Sequence, residues 1–349
     1  MIADGNAGAV GAGPRLLADI GGTNARFAWQ GAPGAPIASI RVYPCLDHAS
    51  LQAAAQRYLA DAGHPAPVCA AIAIANPVTA DRVKMTNHDW SFSVAELRAA
   101  LGLQRLVVLN DFTALALALP SLATEELRQV GGGSPVTGSA VALIGPGTGL
   151  GVSGLVPDAR GGLVPLQGEG GHATLAGRTP REQQVLDELD ARYGHASAER
   201  AVCGQGVSDI DAILQAADAP ATPVVVRSAA DIVQRALEQR DASCLEAINL
   251  FCGFLGTAAG NLALTVGARG GVYIGGGIVP RLGKVFEQSP FRTRFDAKGR
   301  FRDYLAAIPV YVIEARESPA LRGAAVALDN DNFWAAAATA HSESTVSPR

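Results

Sequence analysis

Charge and aromatic rings are both scarce in this chain of 349 residues: 17% of the residues are charged and 5% are aromatic. With 28 Lys+Arg against 32 Asp+Glu the formal charge is only −4, and no segment carries a basic stripe, so the electrostatic footprint of a nucleic-acid-binding protein is missing. Cysteine is sparse too. Cys45, Cys69, Cys203, Cys244 and Cys252 lie far apart, with no Cys-x-x-Cys pair and no Cys/His cluster, which removes the usual zinc patterns. Five is an odd number for a disulfide framework, and reduced core thiols are expected. Uninterrupted apolar runs stay short, residues 68–75 being typical, against the roughly 20 residues needed to span a bilayer. Residues 1–14 lack the charged start and long apolar stretch of a secretory signal. A cytoplasmic protein is expected.

Glycine is plentiful, at 40 residues, and 48% of the chain is hydrophobic, which excludes wholesale disorder. At about 150 residues per domain the length suggests two domains. Residues 1–14 and 331–349 are expected to be tails, the first of them flexible. Between them, strand-like runs at 15–20, 25–29, 37–43, 68–74, 106–109, 140–144, 151–156, 272–274 and 310–313 alternate with helix-like segments, an α/β pattern. Ser93-Val94-Ala95-Glu96 is a capping-box pattern. Thr179-Pro180-Arg181-Glu182 starts a second helix, which Gly194 closes. Residues 241–266 form one long, mostly buried helix. A strand, a Gly/Thr turn and a second strand occur twice, around 19–24 and 145–151, which suits a fold of two related halves.

The first of these turns reads Ala18-Asp19-Ile20-Gly21-Gly22-Thr23-Asn24. Gly21 and Gly22 can take positive φ and let backbone N–H groups approach an anion, while Thr23 and Asn24 add side-chain donors. Asp19 would face that anion, which requires a cation or its water shell between them. An ordinary hairpin with a surface acid fits the same letters. Gly145-Pro146-Gly147-Thr148-Gly149-Leu150-Gly151 follows the same logic. It is not a Walker loop, since no Gly-Lys-Ser/Thr follows, nor a good dinucleotide fingerprint, since a strand rather than a helix comes next. Gly275-Gly276-Gly277 ends a strand and opens a helix, where a flat ligand can lie against bare backbone.

Two further segments carry polar chemistry. In Leu109-Asn110-Asp111-Phe112 a buried strand ends and a helix starts, the usual place for a ligand in an α/β sheet. Asp111 suits a general base and Asn110 a hydroxyl ligand; the alternative is that Asp111 only caps the helix. Glu169, His172 and Glu199, in Glu169-Gly170-Gly171-His172 and Ser197-Ala198-Glu199-Arg200, combine acceptors and donors for vicinal hydroxyls. A solvated loop is the alternative, and a metal site would have His172 as its single imidazole. Asn76-Pro77-Val78 and Met85-Thr86-Asn87-His88-Asp89-Trp90 suggest a sugar-facing or hinge segment, in which His88 and Asp89 can simply satisfy each other.

Taken in order, these segments resemble the bacterial glucokinase family, within the sugar kinase/actin/heat-shock ATPase fold, from about Leu16 to Leu328. The resemblance implies two α/β domains around a central cleft, the actin-like ATPase (ribonuclease H-like) architecture. The smaller domain would hold 15–121 plus about 309–330, the larger 122–308. It also implies ATP with Mg²⁺ and phosphoryl transfer to the 6-hydroxyl of glucose, the entry step of glycolysis. Asp111 would be the catalytic base, and Asn110, Glu169, His172 and Glu199 would bind the sugar. Asp19, Gly21, Gly22, Thr23, Asn24, Gly147, Thr148 and Gly149 would surround the phosphates, with Gly275, Gly276 and Gly277 by the adenosine. No side chain would hold the metal directly, Asp19 reaching it through water. A homodimer is implied, with no nucleic-acid or membrane partner. Two stretches depart from the family pattern. Pro77-Val78-Thr79-Ala80-Asp81 lacks an expected second glycine, and Cys203-Gly204-Gln205-Gly206 stands where Ser-Gly-Pro-Gly is more usual. The rivals are another hexose or N-acetylhexosamine kinase and a non-catalytic sugar-sensing regulator. The first usually carries a Cys-rich zinc motif after Glu-x-Gly-His, absent here, and the second a DNA-binding domain, for which residues 1–14 are too few.

Overall fold

Short apolar runs rich in Ala, Val, Leu and Ile build two main sheets, each inside its own unit. In this computed structural model residues 13–86, 88–315 and 317–330 are described; the expected tails, apart from Gly13 and Pro14, and Asn87 lie outside them. Of the described residues, those up to Leu122 and those after Ala315 form unit 1, and Ala123–Ala315 form unit 2.

Unit 1 contains β1 (Arg15–Ile20), β2 (Asn24–Gln30), β3 (Ile37–Pro44), β4 (Cys69–Ile74), a ribbon of β5 (Arg82–Lys84) and β6 (Ser91–Ser93), and β7 (Arg105–Asn110). The main sheet has the order β3-β2-β1-β4-β7, antiparallel from β3 to β1 and parallel from β1 to β7. β4 is buried along its whole length, as a strand inside a parallel, covered stretch must be. The edge strand β3 is largely exposed. Leu16, Ala18 and Ile20 of β1 share a core with Leu51, Ala54 and Tyr58 of helix Leu51–Ala62. Ser50 caps that helix by accepting from Ala53 N, and Gly63 ends it at φ 65°. Helix Pro319–Asp329 packs on β1 and β4 and on helix Asp111–Ala118. There a Cβ on Gly323 would collide with the Ala114 carbonyl.

Unit 2 contains β8 (Leu127–Val130), β9 (Val141–Pro146), β10 (Leu150–Pro157), β11 (Leu163–Pro165), β12 (Val272–Ile274) and β13 (Val310–Ile313). Its sheet has the order β11-β10-β9-β12-β13-β8. Three antiparallel strands followed by two parallel ones repeat the unit 1 pattern, with β8 added antiparallel at the far edge. The two related halves suggested by the repeated Gly/Thr turns are thus present in the topology. Helix Ala242–Val266, capped by Asp241, is the core of this unit. Among the described residues it is the one helix long and apolar enough to cross a membrane, and 67% of its most apolar window is buried inside the protein. The Thr179 capping box and the left-handed Gly194 both form as their sequence predicts.

Two expected boundaries move. Gly13 and Pro14, expected in the N-terminal tail, are tied to the sheet by Val68 N donating to Pro14 O at 2.8 Å. The return to the first unit, expected at about 309, comes after Ala315, because Val310–Ile313 pairs with β12 and β8.

Candidate active site

Unit 1 carries the first Gly/Thr hairpin. The β1–β2 register sets Arg26 opposite Asp19, and Arg26 Nη1 donates to Asp19 Oδ2 at 2.7 Å. Ser318 Oγ donates to the same oxygen at 2.6 Å. Both bonds use Oδ2, so Oδ1 keeps its lone pairs for another group. Gly21 N closes the turn by donating to Asn24 O at 3.0 Å, and Cys45 N holds it from outside by donating to Thr23 O at 2.8 Å. Neither Gly21 nor Gly22 takes the positive φ that the sequence suggested. A Cβ on Gly21 would meet only Asn24 O, at 3.6 Å. The packing around Gly21 therefore leaves room for a Cβ.

The second part of unit 1 is the junction of β7 with helix Asp111–Ala118. Asn110, not Asp111, is the N-cap, its Oδ1 accepting from Phe112 N at 2.9 Å and Thr113 N at 3.2 Å. Its Nδ2 donates to Asn76 O at 3.5 Å. Asn76 is fixed in turn, donating to Lys84 O at 2.8 Å and accepting from Thr86 N and Oγ1, each at 2.7 Å. Asp111 Oδ1 accepts from Phe112 N at 2.9 Å. Burial first, and the neighbouring charge of Asp19 second, push the Asp111 carboxyl up to about 7. His88 Nδ1 accepts from Trp90 N at 3.2 Å, where the sequence suggested Asp89 as its partner.

Unit 2 carries the other hairpin. Leu150 pairs with Pro146, and Gly147 N donates to Gly149 O at 2.8 Å to close the loop. Gly204 N, at the start of helix Gly204–Asp218, donates to Gly147 O at 2.9 Å. Leu150 N donates to Glu199 Oε2 at 2.9 Å. These glycines also avoid positive φ, and the two differ in what surrounds them. A Cβ on Gly147 would find open space, with only Gly149 O at 4.0 Å, while one on Gly149 would collide with Glu199 Oε2. Gly276, at φ 78°, presses on the Pro146 carbonyl, so the Gly275–Gly277 turn sits against the hairpin. Gly277 then caps the short helix Ile278–Leu282.

Glu169 precedes and His172 ends a single 3₁₀ turn, Gly170–His172. A Cβ on Gly171 would strike the Leu150 carbonyl, so the turn needs glycine to lie along β10. Ala198 N donates to Ala173 O and Leu175 N to Ala196 O, at 2.9 and 3.0 Å, joining the two polar segments. His172 Nδ1 is thereby 3.9 Å from Glu199 Oε1. Glu169 is exposed. Among the described residues no cluster of three or more His, Cys, Asp or Glu could hold a metal ion. Cys203 caps helix Gly204–Asp218, its Sγ accepting from Gly206 N at 3.3 Å, so it supports the hairpin's neighbour. Sequence reasoning missed Ser318 and Gly204. Ser318-Pro319 is a legible helix start, but nothing local ties it to Asp19.

A sequence model described as Glucokinase matches residues 16–331. The chain belongs to the glucokinase family. It is 59% identical to a Glucokinase of Aromatoleum aromaticum, over 91% of this chain and 95% of that protein. It is 53% identical to the Bifunctional protein glk of Burkholderia pseudomallei over 90% of this chain, and that match spans about half, 48%, of the longer protein. A solved glucokinase from an Antarctic psychrotroph has a TM-score of 0.81 at 38% identity, covering 91% of this chain and 99% of that one. The glucokinase-family fold, the actin-like ATPase architecture, agrees with the doubled sheet pattern described above. Of the residues expected from the family, unit 1 brings Asp19, Asn110 and Asp111 to strand ends, and unit 2 groups Gly147–Gly149, Glu169, His172, Glu199 and Gly275–Gly277 around β9 and β10.

Proposed function

We propose that this chain is a glucokinase that transfers a phosphoryl group from ATP to the 6-hydroxyl of glucose, giving glucose 6-phosphate. The observation that carries the reading is Asp111, a carboxyl raised to about 7 at a strand end whose helix is already capped by its neighbour. In this reading Asp111 accepts the proton of the 6-hydroxyl as that oxygen bonds to the γ-phosphorus. The bond between the γ-phosphorus and the bridging oxygen breaks, and ADP keeps its electron pair. The transition state of such transfers is loose, so positioning and charge stabilisation outweigh proton abstraction. The amide of Asn110 and the side chains of Glu169, His172 and Glu199 fix the sugar hydroxyls. A site built this way rejects analogues that leave its polar groups unpaired.

The open spaces beside Gly21 and Gly147 fit phosphate oxygens, with Gly22, Thr23, Asn24, Thr148 and Gly149 completing the two hairpins and Gly275–Gly277 beside the adenosine. Asp19 Oδ1 fits the water shell of Mg²⁺, which would hold the metal without a direct ligand. When bound, Mg²⁺ supplies charge that neutralises the triphosphate. The free, buried cysteines support a reducing, cytoplasmic setting, and a homodimer belongs to the same reading. A coupled assay across hexoses, N-acetylhexosamines and phosphoryl donors tests it. Glucose with ATP is expected to give the highest kcat/KM; a preference for an N-acetylhexosamine, or no turnover with any sugar, overturns it.

A further inference from the structure

We infer that Glu199 is a positioning residue for the phosphate hairpin as well as a sugar ligand, and so couples glucose binding to ATP binding. The inference rests on the glucokinase reading of the site for its sugar half. Its hairpin half rests on geometry inside unit 2. One carboxylate oxygen, Oε2, accepts from Leu150 N at 2.9 Å, at the first residue after the Gly147–Gly149 loop. The other, Oε1, faces His172 Nδ1 at 3.9 Å. Gly149 is bare because that carboxylate occupies the place of its Cβ. The backbone that follows Glu199 grips the same loop a second time, through Gly204 N to Gly147 O at 2.9 Å. One short segment therefore anchors the Gly147–Gly149 loop twice, through the Glu199 side chain and through Gly204.

A carboxylate held at Oε1 by a sugar hydroxyl loses its freedom to swing, which also fixes Leu150 N–H and the loop amides. Ordering the loop before ATP arrives removes part of the ordering cost of the second ligand, which is positive coupling without any new contact. By linkage the effect must be reciprocal: ATP strengthens glucose binding by the factor by which glucose strengthens ATP binding.

Calorimetry with ATP and glucose, each alone and in the presence of the other, tests this in the intact protein. Circular dichroism and a thermal melt of every variant come first. Glu199→Ala is expected to weaken glucose about tenfold or more, as loss of a hydrogen bond to a charged group does. It should also weaken ATP severalfold with no sugar present, and bring the coupling factor close to one. Glu199→Gln, which keeps an oxygen for Leu150 N–H, should restore ATP affinity. Glu169→Ala should weaken glucose alone. Gly149→Ala should weaken glucose without nucleotide by displacing the carboxylate, whereas Gly147→Ala, with open space around it, should not. Wild-type ATP affinity in Glu199→Ala, or wild-type glucose affinity in Gly149→Ala, overturns the inference. A wild type that binds ATP but phosphorylates no glucose would defeat the functional reading, while the ATP affinities of wild type and Glu199→Ala still decide the hairpin role.

Discussion

Asp111 and Asn110 are neighbours with opposite assignments. Asn110 has extended backbone, φ −62° and ψ 147°, which lets its side chain reach back over the first turn as a cap. Asp111, one residue on, is inside the helix, and its Oδ1 accepts from Phe112 N at 2.9 Å. Asp111→Asn should leave glucose affinity within about tenfold and lower kcat by ~10²–10⁴, the share of general base catalysis. Steady-state kinetics check this, and a near-wild-type kcat removes Asp111 from the mechanism. The wild-type rate should also fall as pH drops below about 7, because the base becomes protonated. Stability gives an independent check. A carboxyl raised from 3.8 to about 7 binds a proton in the native state that the unfolded chain has already released. Stability therefore falls as pH rises through that window, and the penalty persists above it. Asp111→Asn should melt higher than wild type at pH 8, with the gap closing by pH 4. Glu169, which is exposed, should behave as a sugar ligand only. Glu169→Ala should weaken glucose by roughly 1.5–3 kcal/mol with ATP unchanged, and calorimetry showing the reverse removes it from the sugar site.

At the scale of elements, the glycines of the two hairpins separate by what a side chain would meet. Gly147→Ala should fold and melt like wild type, since its Cβ enters open space, yet lose ATP affinity. Gly276→Ala should fail differently, because it combines a strained φ of 78° with a collision against the Pro146 carbonyl. A lowered melting temperature is expected for Gly276→Ala alone. If Gly147→Ala binds ATP normally, the hairpin is only a turn. Both hairpins were legible as strand–turn–strand units, and their glycines as places of close approach. The left-handed backbone suggested for those glycines does not form, and at Gly149 the Glu199 carboxylate fills the place of a Cβ.

Over the described residues, the last helix returns to the first unit and packs on the element that bears Asp111. Pro319–Asp329 packs on helix Asp111–Ala118 with Gly323 against the Ala114 carbonyl, and Asp329 pairs with the buried Arg15 at 2.5 Å. Gly323→Ala must push the two helices apart. It should cost stability of the order of 1–3 kcal/mol, as overpacking does, and lower kcat although Gly323 lies outside the proposed chemistry. A melt and a kcat both equal to wild type would show that the helix pair yields freely.

Strands, turns and caps were legible because their causes are local. Apolar runs mark β1, β4 and β9, and Thr179, Pro180, Glu182 and Gly194 spell out both ends of one helix within sixteen positions. Repeated Gly/Thr turns even indicated two related halves. Tertiary structure alone buried the Asp111 carboxyl beside the charge of Asp19. It alone brought Ser318 to Asp19 across 299 residues and Glu199 to Leu150 across 49. Likewise only strand pairing put Val310–Ile313 in the second unit. The physical reason is the same in each case. A cap or a turn is satisfied by atoms a few residues away, whereas the partner of a carboxylate at a strand end depends on which strands pair and which helix lies over them.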